Sequence, residues 1–406
     1  MPNKNYLSAM ASVAHSTAAV TALAQKEANL AAVDVADLDP EAYSGEDRGS
    51  FPYAQLTQAG ADQLVAVGQE LRKRYFGDGS SSSSGDVASS VQARSTNMCR
   101  TLQSLRSLLV GLLGRPIGAA AEDTSSASAS ASASAKVTIN TRPKAREVMF
   151  PTADGPCEGL AARRATIFPP DYMARNLPGF VGLEERVRAA LGFDKDKEKP
   201  VGWLTVKEIL TCRHVHGLEL PGGLSQQDEE QITQLAGWMW GVLHNDAAYN
   251  RLAIGRFLGE LLADIQASDA AFSDPQQAAG AAPVGPRMLI YSGHDSTLVP
   301  LLCALGCYDG VWPPYASFLS LEVVRSRASG ERFVRAVYND KQMPMTSCLG
   351  AGAGGEMWCP LPAFLQRLRE MAVSTAEYKE ACKAGGAPQQ AAQAAQAEAE
   401  VKATIG

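Results

Sequence analysis

The stretch Met288-Leu289-Ile290-Tyr291-Ser292-Gly293-His294-Asp295-Ser296-Thr297 decides how this chain is read. Met288 to Tyr291 is a short apolar run of the length a buried parallel strand needs. Leu298, Leu301, Leu302 and Leu305 then recur at helical spacing and stop at Gly306, a residue suited to the left-handed turn past a helix end. The pattern predicts a strand running straight into a helix, with His294 and Asp295 at the junction. A helix N-terminus presents unpaired N–H groups and partial positive charge, and open α/β sheets bind ligands at the carboxyl ends of their strands. An anion, and first of all a phosphate ester, is the expected ligand.

A second junction of this kind lies at Val91-Gln92-Ala93-Arg94-Ser95-Thr96-Asn97-Met98-Cys99-Arg100-Thr101. A weak strand ends in Arg94, and Met98, Leu102, Leu105, Leu109 and Leu112 mark one face of the helix that follows, with Thr96 or Asn97 available to cap it. A guanidinium there can grip two phosphate oxygens at once. A strand-end arginine is more often a surface ion pair, so it is the pairing of the two junctions that begins to specify a site.

Three blocks give the chain a family resemblance: Gln55-Leu56-Thr57-Gln58-Ala59-Gly60 leading to Leu71-Arg72-Lys73-Arg74-Tyr75, then Arg94-Ser95-Thr96 with Arg100, then Ser292-Gly293-His294-Asp295 extending to Trp312-Pro313-Pro314. The chain resembles the histidine acid phosphatases of the histidine phosphatase superfamily, branch 2, and within them the lysophosphatidic acid phosphatase type, from about Tyr43 to Cys382. The resemblance implies an α/β fold, a phosphoglycerate mutase-like mixed sheet flanked by helices with an inserted helical cap. It further implies that Arg94 and His294 bind the phosphate, and that Asp295 protonates the leaving alcohol while a histidine attacks phosphorus. No metal or cofactor is implied.

The family's opening Arg-His-Gly-x-Arg-x-Pro motif, which carries the attacking histidine on the first central strand, does not occur in the sequence. Of five histidines, His15 lies in the right region but has neither an arginine before it nor a glycine after it. His216 falls in the mid-chain block His216-Gly217-Leu218-Glu219-Leu220-Pro221, which matches a different part of the family pattern. The expectation is a truncated or mispredicted start, with that central strand missing from the chain. The chain as written is then expected to have little activity.

A chain of 406 residues with a net charge of −6 holds one α/β core with an insertion, and has no global attraction for nucleic acid or anionic membranes. No apolar run reaches the roughly 18 residues of a spanning helix, and residues 1–35 show no convincing secretory or transit signal. Cys99 and Cys303 read as buried free thiols, and Cys348 and Cys359 flank a Gly-rich loop where they could pair with each other or elsewhere.

Along the chain, residues 1–42 form an Ala-rich segment that offers no strand, and 43–150 with 286–382 form the phosphatase core. Residues 151–285 form the helical cap, 383–406 are a tail, and 77–90 and 122–135 are low-complexity loops. Thr57 caps a helix bearing Leu64, Val67, Leu71 and Tyr75. Val137-Thr138-Ile139 reads as a strand, and Phe318–Val324 with Arg332–Tyr338 as a hairpin.

Gly350 to Gly355 spells G-x-G-x-x-G, but no helix follows it, so a loop is the better reading. His214-Val215-His216 has metal-ligand spacing yet no carboxylate at a recognisable offset. Arg72, Lys73 and Arg74 are explained by a solvated helix C-terminus. Two functional classes stand at this point. One is a metal-independent phosphomonoesterase for lysophosphatidic acid or a similar small phosphorylated metabolite, and the other an inactive relative that binds phosphorylated ligands or proteins.

Overall fold

The computed structural model describes residues 56–77, 84–114, 137–151, 155–192, 201–272, 287–348 and 357–383. His15, the 1–42 segment, the 122–135 loop, the Gly350–Gly355 run and nearly all of the 383–406 tail lie outside them.

The strand of the deciding stretch is β3, Met288–Ser292, and it pairs in parallel with β1, Val91–Ser95, in the register Arg94 to Tyr291. On its other side β1 pairs in parallel with the short β2, Ile139–Asn140, giving the order β2-β1-β3. This strand begins at Ile139 instead of Val137. Parallel pairing brings the carboxyl ends of β1 and β3 together, and the two sequence junctions with them.

A second sheet is antiparallel. Strand β4, Leu319–Arg325, pairs with β5, Arg332–Tyr338, as the expected hairpin, and β5 also pairs with β6, Lys341–Met343, and β7, Cys359–Pro360. Met288 and Ile290 of β3 pack with Phe318 on one hydrophobic cluster, and Tyr291 of β3 packs with Leu319 and Leu321 of β4 on another. The two sheets therefore feed the same two apolar layers. Among the described residues, β3 is paired only with β1, and β4 only with β5.

The first layer is built by α1, Gln58–Phe76, and α3, Cys99–Leu112; α2, Ser84–Ser89, also joins it. Thr57 caps α1 as expected, its hydroxyl accepting from the Gly60 N–H at 3.3 Å. The basic end of α1 is tied down and not simply solvated: Arg72 donates to the Leu112 carbonyl at 3.0 Å, and Arg74 pairs with Asp340. Helix α2 corrects the reading of 77–90 as a loop throughout, because Val87 is fully buried and supplies the apolar anchor that the serines lack. The expected cap on α3 is also absent: its N-cap is Met98, without a side-chain bond, because the Thr96 hydroxyl is engaged elsewhere.

The described residues between 158 and 272 are mainly helical, and they pack in two places. Helices α4 (Glu158–Ile167), α5 (Tyr172–Asn176), α6 (Phe180–Leu191), α7 (Trp203–Val215) and α8 (Gln226–Asn245) precede α9, Ala247–Phe272. Phe180, Leu183, Val206, Leu210 and Ile232 form a cluster of their own. Helix α9 instead places Ile254, Phe257, Leu258 and Leu261 in the layer against the sheet, with α10, Asp295–Leu305, and α11, Leu361–Met371. Helix α12, Thr375–Lys383, returns to α4, where Cys382 is disulfide-bonded to Cys157. Cys348 and Cys359 pair with each other, while Cys99 and Cys303 are free, both partly buried and not fully so. No helix among the described residues is long and apolar enough to cross a membrane.

Candidate active site

His294 and Asp295 sit where β3 hands over to α10. The turn is held by Thr297, whose hydroxyl accepts from the His294 N–H at 3.0 Å and donates to the Met149 carbonyl at 2.6 Å. Gly306 ends the helix in the left-handed conformation, φ 69°, as its position in the sequence predicts. The Ser296 N–H donates to Asp295 Oδ1 at 2.7 Å, so the carboxyl lies over the positive end of α10.

The second junction reaches the first through Thr96. Its hydroxyl lies 3.0 Å from His294 Nε2 and 2.8 Å from the Thr101 hydroxyl, and its N–H donates to the Ser292 carbonyl at 3.1 Å. The Phe150 ring stands 5.2 Å from the His294 ring. Burial pushes the His294 pKa down to about 3, and the charge of Arg100, in the first turn of α3, adds to the fall. Burial also lifts the Asp295 carboxyl above its ordinary value; Glu208 adds to the rise, while the Ser296 N–H, Lys207 and Arg100 oppose it. The reluctant carboxyl spares an arriving anion a repulsion, whereas the buried imidazole is neutral until an anion beside it favours its protonation. Phosphate oxygens would stabilise the imidazolium and hold the proton on Asp295.

Arg94 is placed differently from expectation. Its guanidinium is not open: Nη2 donates to Glu147 at 2.8 Å and Nη1 to Glu260 of α9 at 2.5 Å. Glu147 is buried and also accepts from the N–H groups of Val148 and Met149, each at 2.8 Å. Glu260 is more exposed and is shared with Arg142. The strip 147–150 thus joins Arg94, through Met149 and Phe150, to the surroundings of His294. Among the described residues, Arg94 Nε and the Ser296 hydroxyl are buried without a hydrogen-bond partner.

Three residues beyond the sequence expectation belong to this neighbourhood. Arg100 acts electrostatically on both His294 and Asp295; it was visible in the sequence as a companion of Arg94, at the start of the helix that follows its strand. Lys207 and Glu208 of α7 both act on Asp295, and nothing local in the sequence marked them. Lys207 is buried, 2.9 Å from Glu208, with its ammonium over the rings of Trp312 and Tyr315 at 5.4 and 5.2 Å.

The remaining described histidines lie elsewhere. His214 Nδ1 is 2.7 Å from Glu229, and buried His244 lies 2.8 Å from Asn250 Oδ1 against the rings of Trp240 and Tyr249. No cluster of three or more metal-ligating side chains occurs among the described residues.

The parallel strand pair thus brings His294, Asp295 and Thr96 together at one helix N-terminus, with Arg100 acting on the first two and Arg94 held by carboxylates nearby. Residues 227–339 match the family model of the histidine phosphatase superfamily, branch 2. Among curated proteins the chain is similar to lysophosphatidic acid phosphatase type 6 of Mus musculus, 29% identical over 82% of this chain and 72% of the relative. It is also similar to lysosomal acid phosphatase of Bos taurus, 28% identical over 84% and 75%. Among solved structures, the phytase of Citrobacter braakii shares the fold with a TM-score of 0.57 at 16% identity, over 82% of this chain and 90% of that one.

Proposed function

We propose that this protein is a phosphomonoester hydrolase whose phosphate site is formed by His294, Arg94 and Arg100, with Asp295 as the proton donor to the leaving alcohol. The observation that carries the reading is the Thr96–His294 contact, which merges the two strand ends, with Arg100 acting on both His294 and Asp295. A phosphate monoester dianion repels nucleophiles, so fixed donors must first neutralise its oxygens. The alcohol then leaves with a proton from Asp295, whose raised proton affinity suits that role. Lysophosphatidic acid or a similar small phosphorylated metabolite is the proposed substrate.

Attack on phosphorus calls for a histidine in line with the leaving oxygen. None of the described histidines other than His294 lies in this neighbourhood, so the attacking group is proposed to lie outside the described residues. A strand entering between the unpaired edges of β3 and β4 would complete one sheet and deliver its end beside His294. The second reading, an inactive binder of phosphorylated ligands, is favoured by the carboxylates that occupy Arg94.

The test is hydrolysis of an aryl phosphate and of lysophosphatidic acid near pH 5. Asp295→Asn is expected to cut turnover of the alkyl ester roughly 10²-fold or more, and that of the activated aryl ester much less. Binding of inorganic phosphate without Asp295-dependent turnover of either ester decides for the inactive reading.

A further inference from the structure

The two carboxylates on Arg94 are not held alike. Glu147 accepts from the Val148 and Met149 N–H groups as well as from Arg94, and its side chain is only 4% exposed. Releasing it would strand a buried charge, so it stays. The Glu260 side chain is 29% exposed and lies across two guanidiniums, with Oε2 on Arg94 Nη1 and Oε1 on Arg142, whose side chain is 40% exposed. A carboxylate in that place does what a phosphate does between two arginines: it sets two anionic oxygens on two forks of donors. Glu260 can leave Arg94 without losing its countercharge, because Arg142 keeps it, and a part-exposed pair of this kind contributes little.

A second observation gives Arg94 a place to settle after such a release. Its Nε and Glu147 Oε2 are both buried without a hydrogen-bond partner among the described residues, although the two side chains are already joined at 2.8 Å through Nη2 and Oε1. Nε and Nη2 form one edge of the guanidinium, so a small turn of either group closes a second, parallel bond and makes the pair bidentate. Nη1 lies off that edge and is left for another anion.

We propose that Glu260 is a displaceable stand-in for phosphate on Arg94: the incoming oxyanion takes Nη1, Arg142 retains the released carboxylate, and Glu147 locks Arg94 from the other edge. The inference rests on the reading of Arg94 as a phosphate ligand. Glu260 and Arg142 are then positioning residues, which set how strongly the anion is held and take no part in bond breaking. The occupied guanidinium is the resting state of an exchange and not a mark of inactivity.

The experiment is calorimetric titration of the full chain with inorganic phosphate at neutral pH and physiological ionic strength. Glu260→Gln keeps the shape and removes the competing charge, and affinity is expected to rise about fivefold, the upper end for a part-exposed ion pair. Arg142→Met leaves the Glu260 carboxylate to Arg94 alone, and affinity is expected to fall by a similar factor. Asp264→Asn is the control: it removes an equal charge one turn further along α9, where the Tyr291 hydroxyl holds it, and is expected to change affinity less than about twofold because salt screens a charge that is not in contact. In the Arg94→Ala, Glu147→Gln background the gain from Glu260→Gln should vanish, since no guanidinium is left to release. An affinity that falls or holds in Glu260→Gln, as it would if Glu260 only propped Arg94 in place, overturns the exchange. So does a gain matched by Asp264→Asn, or one that survives without Arg94. Phosphate binding in none of these proteins sinks the phosphate site itself, whereas binding without a Glu260 effect sinks only the exchange, so the two failures are distinguishable.

Discussion

His294 and Thr96 stand 198 positions apart in the chain, yet the imidazole Nε2 and the threonine hydroxyl are 3.0 Å from each other. The same hydroxyl is linked to Thr101, in the first turn of α3, so the imidazole is held from the neighbouring strand end as well as from its own turn.

Thr96→Val keeps the shape and removes the hydroxyl. Loss of a buried hydrogen bond of this kind is expected to cost about 1 kcal/mol of stability. Phosphate affinity should fall several-fold because the His294 ring loses its fixed direction. Thr96→Ser restores both. Urea unfolding together with phosphate titration reads the two effects separately.

Arg94→Ala leaves Glu147 buried with its charge uncompensated, which typically costs about 3–5 kcal/mol. The double variant Arg94→Ala, Glu147→Gln is expected to recover a large part of that loss, because the two N–H groups at Val148 and Met149 still find an oxygen. Equal stability of the single and double variants would show that the ion pair is not what holds this strip. Denaturant midpoints on purified variants are sufficient.

The two junctions were legible in the sequence because strand, turn and helix signals all fall within ten residues of each other. The hairpin and the Gly306 stop are legible for the same reason. The partners of Arg94 were not, since Glu147 and Glu260 lie 53 and 166 residues downstream and belong to a connecting strip and a helix with no charge pattern of their own. Lys207 and Glu208 are adjacent charges on an ordinary helix until Trp312 and Tyr315 are folded over them. Likewise α9 reads as one more helix of the insertion, and only its packing under Tyr291 shows that it serves the sheet.

Acid should loosen the fold through its buried imidazoles. Burial pushes His244 from 6.5 down to about 4, with only the Asn250 contact opposing, and His294 down to about 3. A folded-state pKa below the unfolded value means that the contribution is complete above about pH 6.5 and is lost as pH falls toward the folded value. Each imidazole gives a slope of up to about 1.4 kcal/mol per pH unit in that window. Asp295, whose pKa is raised, works in the opposite sense, and comparison with a single variant cancels it. His244→Gln is expected to flatten stability between pH 6.5 and 4.5 relative to wild type, measured by urea midpoints at each pH.

Gly68 of α1 and Gly111 of α3 let two helix backbones touch. A Cβ at Gly68 would come within 2.0 Å of the Leu108 carbonyl oxygen, and one at Gly111 within 2.0 Å of that of Val65. Alanine improves helix propensity by about 1 kcal/mol but must push the helices apart, at a typical cost of about 1–3 kcal/mol or more when the obstacle is backbone. Gly68→Ala and Gly111→Ala are each expected to be net destabilising in thermal unfolding, although both would stabilise an isolated helix.

The bond between Cys157 and Cys382 turns a linear polypeptide into a lariat-like object, a large covalent ring carrying two free ends. The ring includes α4 to α12 and the His294–Asp295 junction, whereas Arg94 and Arg100 ride on the N-terminal end outside it. A single protease cut anywhere between the two cysteines opens the ring without separating the molecule into two. Such nicked protein migrates as one species until a reductant is added and then as two, and until then the parts that form the proposed phosphate site are kept at high effective concentration.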